Sequence, residues 1–193
     1  MSTAQTHSAQ NLTLADCLLQ ETGVDIRRCY QCGKCSAGCP MAAEMDYPSS
    51  VWMRMLQTGR PDLENAVLKS QSIWLCLSCE TCYVRCPMEI DIPRVADFLR
   101  ATSKRRDLVH PEARNILRFH TAFLDSIRYT GRLYEMGMVV DYKVRSRKWW
   151  QDLLTAPGMF LRGKLNLLPH RVKHPKAMRK LFKRAAEDKE ARI

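Results

Sequence analysis

The sequence has no run of apolar residues approaching the roughly 18 that a membrane-crossing helix needs. It has no Gly-rich dinucleotide fingerprint and no adjacent pair of cysteines. Residues 1–11 are polar, are expected to be disordered at their start, and carry no charged-then-apolar leader, which predicts an intracellular, cytoplasmic protein. Between Cys39 and Cys76, Val, Ile and Thr are sparse and nothing alternates at period two, which excludes a sheet there. Acidic residues are also short: 20 Asp and Glu stand against 31 Lys and Arg, a net charge of +11. The basic excess has no recognised nucleic-acid motif and no interleaving of basic with aromatic residues, so nucleic acid is excluded as a partner. Nine cysteines are an odd number, and without a leader they do not form a disulfide framework.

Eight of the nine cysteines are instead arranged twice in one pattern. The first block is Cys29-Tyr-Gln-Cys32-Gly-Lys-Cys35-Ser-Ala-Gly-Cys39-Pro40, and the second is Cys76-Leu-Ser-Cys79-Glu-Thr-Cys82-Tyr-Val-Arg-Cys86-Pro87. This is the Cys-x2-Cys-x2-Cys-x3-Cys-Pro run of bacterial two-cluster ferredoxins, in which the fourth cysteine ligates the other cluster. Two-residue intervals let a tight loop wrap one side of a [4Fe-4S] cube and reach three corners. Proline, with fixed φ and no N–H, then suits the exit. The pattern predicts two [4Fe-4S] clusters with crossed ligation: Cys29, Cys32, Cys35 and Cys86 for one, and Cys76, Cys79, Cys82 and Cys39 for the other. On this reading both clusters tie the two loops together and neither half folds alone. Structural zinc is the alternative, since it uses paired Cys-x2-Cys arms. Zinc does not require a third cysteine at the same interval and a proline-backed fourth, twice over.

The remaining sequence reads as mainly α. Leu14, Ala15, Leu18 and Leu19 have helical spacing and Gly23 is a stop signal. Cys17, in this helix, reads as a small buried hydrophobe. Pro48 fits the first turn of a helix carrying Val51, Trp52, Met55 and Leu56 and ending near Gly59; Pro61 starts another with Leu63, Val67 and Leu68. Ser72 is expected to cap a turn leading through Ile73, Trp74 and Leu75 into the second cysteine block. Trp52 and Trp74 are expected to pack around the clusters. Lys34 and Arg85, inside the blocks, read either as solvated charge or as tuning and docking residues. Pro93 opens a helix with Val95, Ala96, Phe98 and Leu99. His110-Pro111 starts a longer one whose apolar stripe includes His120 as a core or interface residue and which Gly131 closes. Further helices are expected over 132–150 and from Pro175, separated by a stretch broken at Pro157, Gly158, Gly163 and Pro169. Residues 1–102 carry a net −2 and residues 103–193 a net +13. That break predicts a cysteine domain over 12–102 and a basic helical extension over 103–193 that docks an acidic partner. Contact with a membrane surface, which Trp149-Trp150 and a basic amphipathic helix would suit, is the weaker reading.

Cys29 to Met41, Ile73 to Met88 and the Gly163-Lys-Leu-Asn-Leu-Leu-Pro169 segment together resemble HdrC, the iron–sulfur relay subunit of heterodisulfide reductases. The cysteine blocks are also similar to the wider helical-ferredoxin group, including iron–sulfur subunits of succinate, fumarate and glycolate oxidoreductases. Succinate and fumarate members have a further cysteine set before these motifs, and this chain has no cysteine before Cys17. The resemblance implies an α-helical ferredoxin domain with a basic helical C-terminal extension. It implies a non-catalytic electron-transfer subunit that relays electrons between a flavin-containing HdrA-like partner and a catalytic HdrB-like partner, where the disulfide chemistry is done. The alternatives are a relay subunit of another dehydrogenase complex and a free-standing ferredoxin.

Overall fold

The structure is a computed structural model and describes residues 12–147, 172 and 175–190. Among them ten α-helices and no strands are found. The fold is mainly α, and its cysteine region is of the helical ferredoxin kind. The chain divides into two compact units that meet between Ala113 and Arg114.

The first unit begins with α1, Leu14–Thr22. Thr13 and Asp16 form a capping box there: the Asp16 N–H donates to Thr13 Oγ1 at 3.2 Å and the Thr13 N–H to Asp16 Oδ2 at 3.0 Å. Gly23 ends the helix at φ 74°. A 3₁₀ turn, Ile26–Arg28, leads into the first cysteine block, which contains α2, Lys34–Ala37. Helices α3, Ser49–Gln57, and α4, Pro61–Lys69, follow. Pro48 is the residue before α3 rather than part of its first turn. The short α5, Ser72–Leu75, delivers the chain to the second block, which contains α6, Thr81–Val84. The unit closes with α7, Ile92–Arg105, capped by the Asp91 carboxylate, which accepts from the Arg94 N–H at 3.0 Å.

Helix α7 organises this unit. Ile92, Val95, Ala96 and Leu99 recur at three- and four-residue intervals and are buried, as is Phe98. They face a core of Leu14 and Leu18 from α1, Val67 and Leu68 from α4, and Ile73 from α5; Trp52, Met53 and Leu56 of α3 are buried too. Each such side chain contributes about 1.5–3 kcal/mol by leaving water. Trp52 and Trp74 are in this core, as their sequence context predicts. Cys17 is only half-buried: it lies on the flank of α1, between its buried and exposed faces.

The second unit contains α8, Ala113–Thr130, α9, Glu135–Ser146, and α10, Pro175–Glu190. Gly131 ends α8 at φ 80°, where any other residue would also meet Val172. Arg145 of α9 bridges Asp141 at 2.9 Å and Asp125 of α8 at 2.8 Å. The rings of Phe119 and Tyr142 meet edge-on at 5.8 Å, and the Arg179 guanidinium of α10 stands 5.9 Å over the Tyr129 ring. His120 is exposed beside Phe119, so it is not a core residue: the stripe that carries it is longer than the surface covering it. Trp149-Trp150 and the 157–169 stretch lie outside the described residues. No helix among the described residues is long and apolar enough to cross a membrane.

Candidate metal centre

Each cysteine block bends its backbone in the same way. In the first, Gln31 and Gly33 have φ of 63° and 75°; in the second, Ser78 and Glu80 have φ of 51° and 60°. These are equivalent positions, two and four residues after the first cysteine. Left-handed backbone at a residue other than glycine costs about 1–3 kcal/mol and persists only where its surroundings enforce it. Two such turns carry the chain around a body, and a single helical turn follows, α2 or α6, that places the third cysteine. Four-residue helices have no stability of their own. The blocks are shaped by what they surround.

Tertiary contacts from outside the motifs hold this shape. The Ser36 hydroxyl, between Cys35 and Cys39, accepts from the Ser50 N–H at 2.8 Å and lies 2.7 Å from the Ser50 hydroxyl, which ties the first block to the start of α3. Asp46 supports the start of α5. Its carboxylate accepts from the Ser70 hydroxyl at 2.7 Å, the Ser72 N–H at 2.9 Å, the Gln71 N–H at 3.2 Å and the Ser72 hydroxyl. Ser72 is therefore not the cap of this helix, as its position suggests; it is the first helical residue, and Asp46 supplies the acceptor. Burial alone would raise the Asp46 pKa, but the Ser72 and Ser70 hydroxyls and the two backbone N–H groups outweigh it and hold the carboxyl at about 2. Glu64, buried in α4, accepts from the Leu14 N–H at 2.9 Å and so fixes α1 on the same core.

Cys29, Cys32 and Cys35 line one cavity of about 330 Å³ together with Cys86, the fourth cysteine of the other block. Met53, Ile90 and Ile92 supply apolar walls, and Lys34 lies at the rim. The four thiols ring this space; among the described residues none of them closes with others on a single point, whereas zinc would hold its sulfurs about 2.3 Å from one centre. The Gln31 side-chain amide donates to Cys29 Sγ and the Ile90 N–H to Cys86 Sγ, both at 3.4 Å. In the second set, Cys82 lies close to Cys76 and also to Cys35 of the first block. Helix α2, between Cys32 and Cys39, packs on α6. Cys79 is exposed, with the Thr81 hydroxyl 3.5 Å away, and Cys39 follows Gly38, which lies against the Arg85 side chain. The gathering is direct for Cys29, Cys32, Cys35 and Cys86 and for Cys76 with Cys82; Cys39 and Cys79 are placed by the loops that carry them.

The thiols do not ionise on their own. Burial pushes Cys29 up, with charge on Cys35, Cys86 and Cys32 adding to it, and burial with Cys76 and Cys35 pushes Cys82 up to about 11. Iron binding must therefore displace protons. The indole N–H of Trp74, two residues before Cys76, is buried without a partner, a donor available to a sulfur acceptor. Cavity, thiols and donors suit an iron–sulfur cluster.

Comparison with known proteins agrees. Residues 25–90 match the 4Fe-4S dicluster domain family. The chain is 40% identical over 73 residues to HdrC, the iron–sulfur subunit of the CoB–CoM heterodisulfide reductase of Methanopyrus kandleri, covering 38% of this chain and 36% of that protein. It is 36% identical over 98 residues to the second HdrC of Methanocaldococcus jannaschii, covering 49% and 50%. It is 30% identical over 99 residues to the HdrC of the ferredoxin:CoB-CoM heterodisulfide reductase of Methanosarcina mazei, covering 51% and 59%. The chain thus spans between about a third and three-fifths of these relatives' lengths. Residues 25–90 are a 4Fe-4S dicluster domain that carries two [4Fe-4S] clusters, and through it the chain is a relative of the HdrC subunits of heterodisulfide reductases.

Proposed function

We propose that this protein is the electron-relay subunit of a heterodisulfide-reductase-like complex. It connects a flavin-containing partner of the HdrA type to a catalytic partner of the HdrB type. The observation that carries this reading is the cavity shared by Cys29, Cys32, Cys35 and Cys86. It supports crossed ligation, with Cys76, Cys79, Cys82 and Cys39 as the second set. A bound [4Fe-4S] cluster takes up and releases one electron. The protein's own work is to hold, shield and expose. Met53, Ile90 and Ile92 keep water from the first site, which bears on its potential. Cys32 and Cys79 are exposed, the second cysteine of each block, and Tyr30 and Leu77 stand exposed beside them. A partner's redox centre can approach each site at that edge.

The basic half supplies the docking surface. Residues 103–193 carry +13, and Leu124, Tyr129, Val140, Val144 and Leu181 are each at least half exposed. Apolar side chains among cationic ones suit an acidic protein partner. Anaerobic affinity capture from the native host, with iron, sulfide, zinc and flavin assayed on the product, tests the reading. A flavoprotein and a second cysteine-rich chain should accompany it. Recovery of the iron-loaded chain alone would instead identify a free-standing ferredoxin.

A further inference from the structure

In each block the first cysteine is held through its backbone carbonyl by a side chain from the helix that follows the block. The Gln57 amide of α3 donates to the carbonyls of Cys29 at 2.7 Å and Ile26 at 3.0 Å. The Arg100 guanidinium of α7 donates to the carbonyls of Cys76 and, at 2.6 Å, Ile73. In both cases the second acceptor lies three residues before the cysteine, so the two clamps are structurally equivalent. Their chemistry differs. Gln57 is neutral and accepts in turn from the Gln31 amide, which also reaches Cys29 Sγ. Arg100 is a cation whose side chain is 21% exposed, and its carboxylate partner, Asp97, is 65% exposed. A largely buried positive charge bonded to one cluster ligand, with its counter-charge in solvent, favours the state of that cluster that holds one more electron.

We propose that Arg100 sets the reduction potential of the cluster ligated by Cys76, raising it above what the neutral clamp at Cys29 would give. Arg100 is a positioning and tuning residue: it acts through the Cys76 backbone and touches no reacting atom. One electron is added and no proton is taken up. The inference rests on the ligand set proposed above, and of that set it needs only Cys76.

The test uses the anaerobically purified, iron-loaded full chain and follows both clusters by EPR-monitored redox titration. The cluster at Cys76 is identified as the one whose signal changes in Cys79→Ser. In Arg100→Gln its reduction equilibrium should become less favourable by about tenfold, a downward shift of about 59 mV for a one-electron couple. The other midpoint should not move, and Arg100→Lys should stay near the wild type. Asp97→Asn, at an exposed position that leaves the clamp in place, should move the same midpoint upward. Two results would overturn the proposal: Arg100→Gln with full iron and unchanged midpoints, or Arg100→Lys shifted as far as Arg100→Gln. If Arg100→Gln fails to load iron, an unmoved midpoint in Asp97→Asn is decisive against it. Loss of the ligand-set reading would appear separately, as a Cys79→Ser variant with both signals intact.

Discussion

Gly38 of the first cysteine block lies directly against the Arg85 side chain of the second. A methyl group on Gly38 would overlap Arg85 Nη1 and stand 2.7 Å from its Cδ. Gly38 has φ −103°, so any effect of substituting it comes from space and not from backbone strain. Gly38→Ala should destabilise the protein by about 1 kcal/mol or less, because a flexible arginine can swing aside. Arg85→Ala in the same chain should remove most of that loss. A double-mutant cycle by anaerobic denaturant unfolding measures the coupling; strictly additive effects would mean the two residues do not meet.

The left-handed positions give opposite expectations in the two blocks. Gly33 has φ 75° and open space around it, so Gly33→Ala should cost about 1 kcal/mol through backbone strain alone. Glu80, its equivalent, has φ 60°, and Glu80→Gly should stabilise the loaded protein by a similar amount. Midpoints of unfolding at matched iron content check both signs.

Glu64 should tolerate amide but not truncation. Glu64→Gln keeps an acceptor for the Leu14 N–H and should lose about 1 kcal/mol or less. Glu64→Ala leaves that N–H unpaired next to a cavity and should lose about 2–4 kcal/mol. Equal losses in thermal unfolding would contradict the bond.

Asp46 adds a pH dependence. Its carboxyl is held at about 2, below the ordinary value near 3.8, so the stabilisation from its ionised form is complete above about pH 4 and is lost as the pH falls toward 2. Screening at this exposed carboxyl limits that contribution to about 1 kcal/mol. Asp46→Asn should therefore be less stable than the wild type at neutral pH, with the difference closing between about pH 4 and 2. Tryptophan fluorescence, which reports on buried Trp52 and Trp74, follows it.

The cysteine blocks, the helical fold and most helix limits are legible in the sequence because their signals are local. Pro61, Gly131 and Pro175 mark ends that the backbone obeys. What the sequence does not reveal is long-range. Ser36, Asp46, Gln57, Glu64 and Arg100 each serve backbone groups between 14 and 50 residues away, beyond any capping rule. This is why Ser72 reads as a cap and is not one. The strained backbone at Ser78 and Glu80 is hidden because neither is glycine. Aligning the two blocks would have exposed the second, since Glu80 stands where the first block has Gly33. His120 illustrates the reverse limit: helical periodicity identifies a face, not what covers it.

Crossed ligation stands on thiols from both blocks sharing one site. The measurement that tests this most directly compares the surviving cluster signals of Cys86→Ser, Cys32→Ser and Cys79→Ser by EPR on the anaerobically loaded chain. Crossed ligation predicts that Cys86→Ser perturbs the same cluster as Cys32→Ser, its partner across the shared cavity, and leaves intact the one lost in Cys79→Ser. A Cys86→Ser spectrum matching that of Cys79→Ser would mean that each block binds its own cluster, and would contradict it.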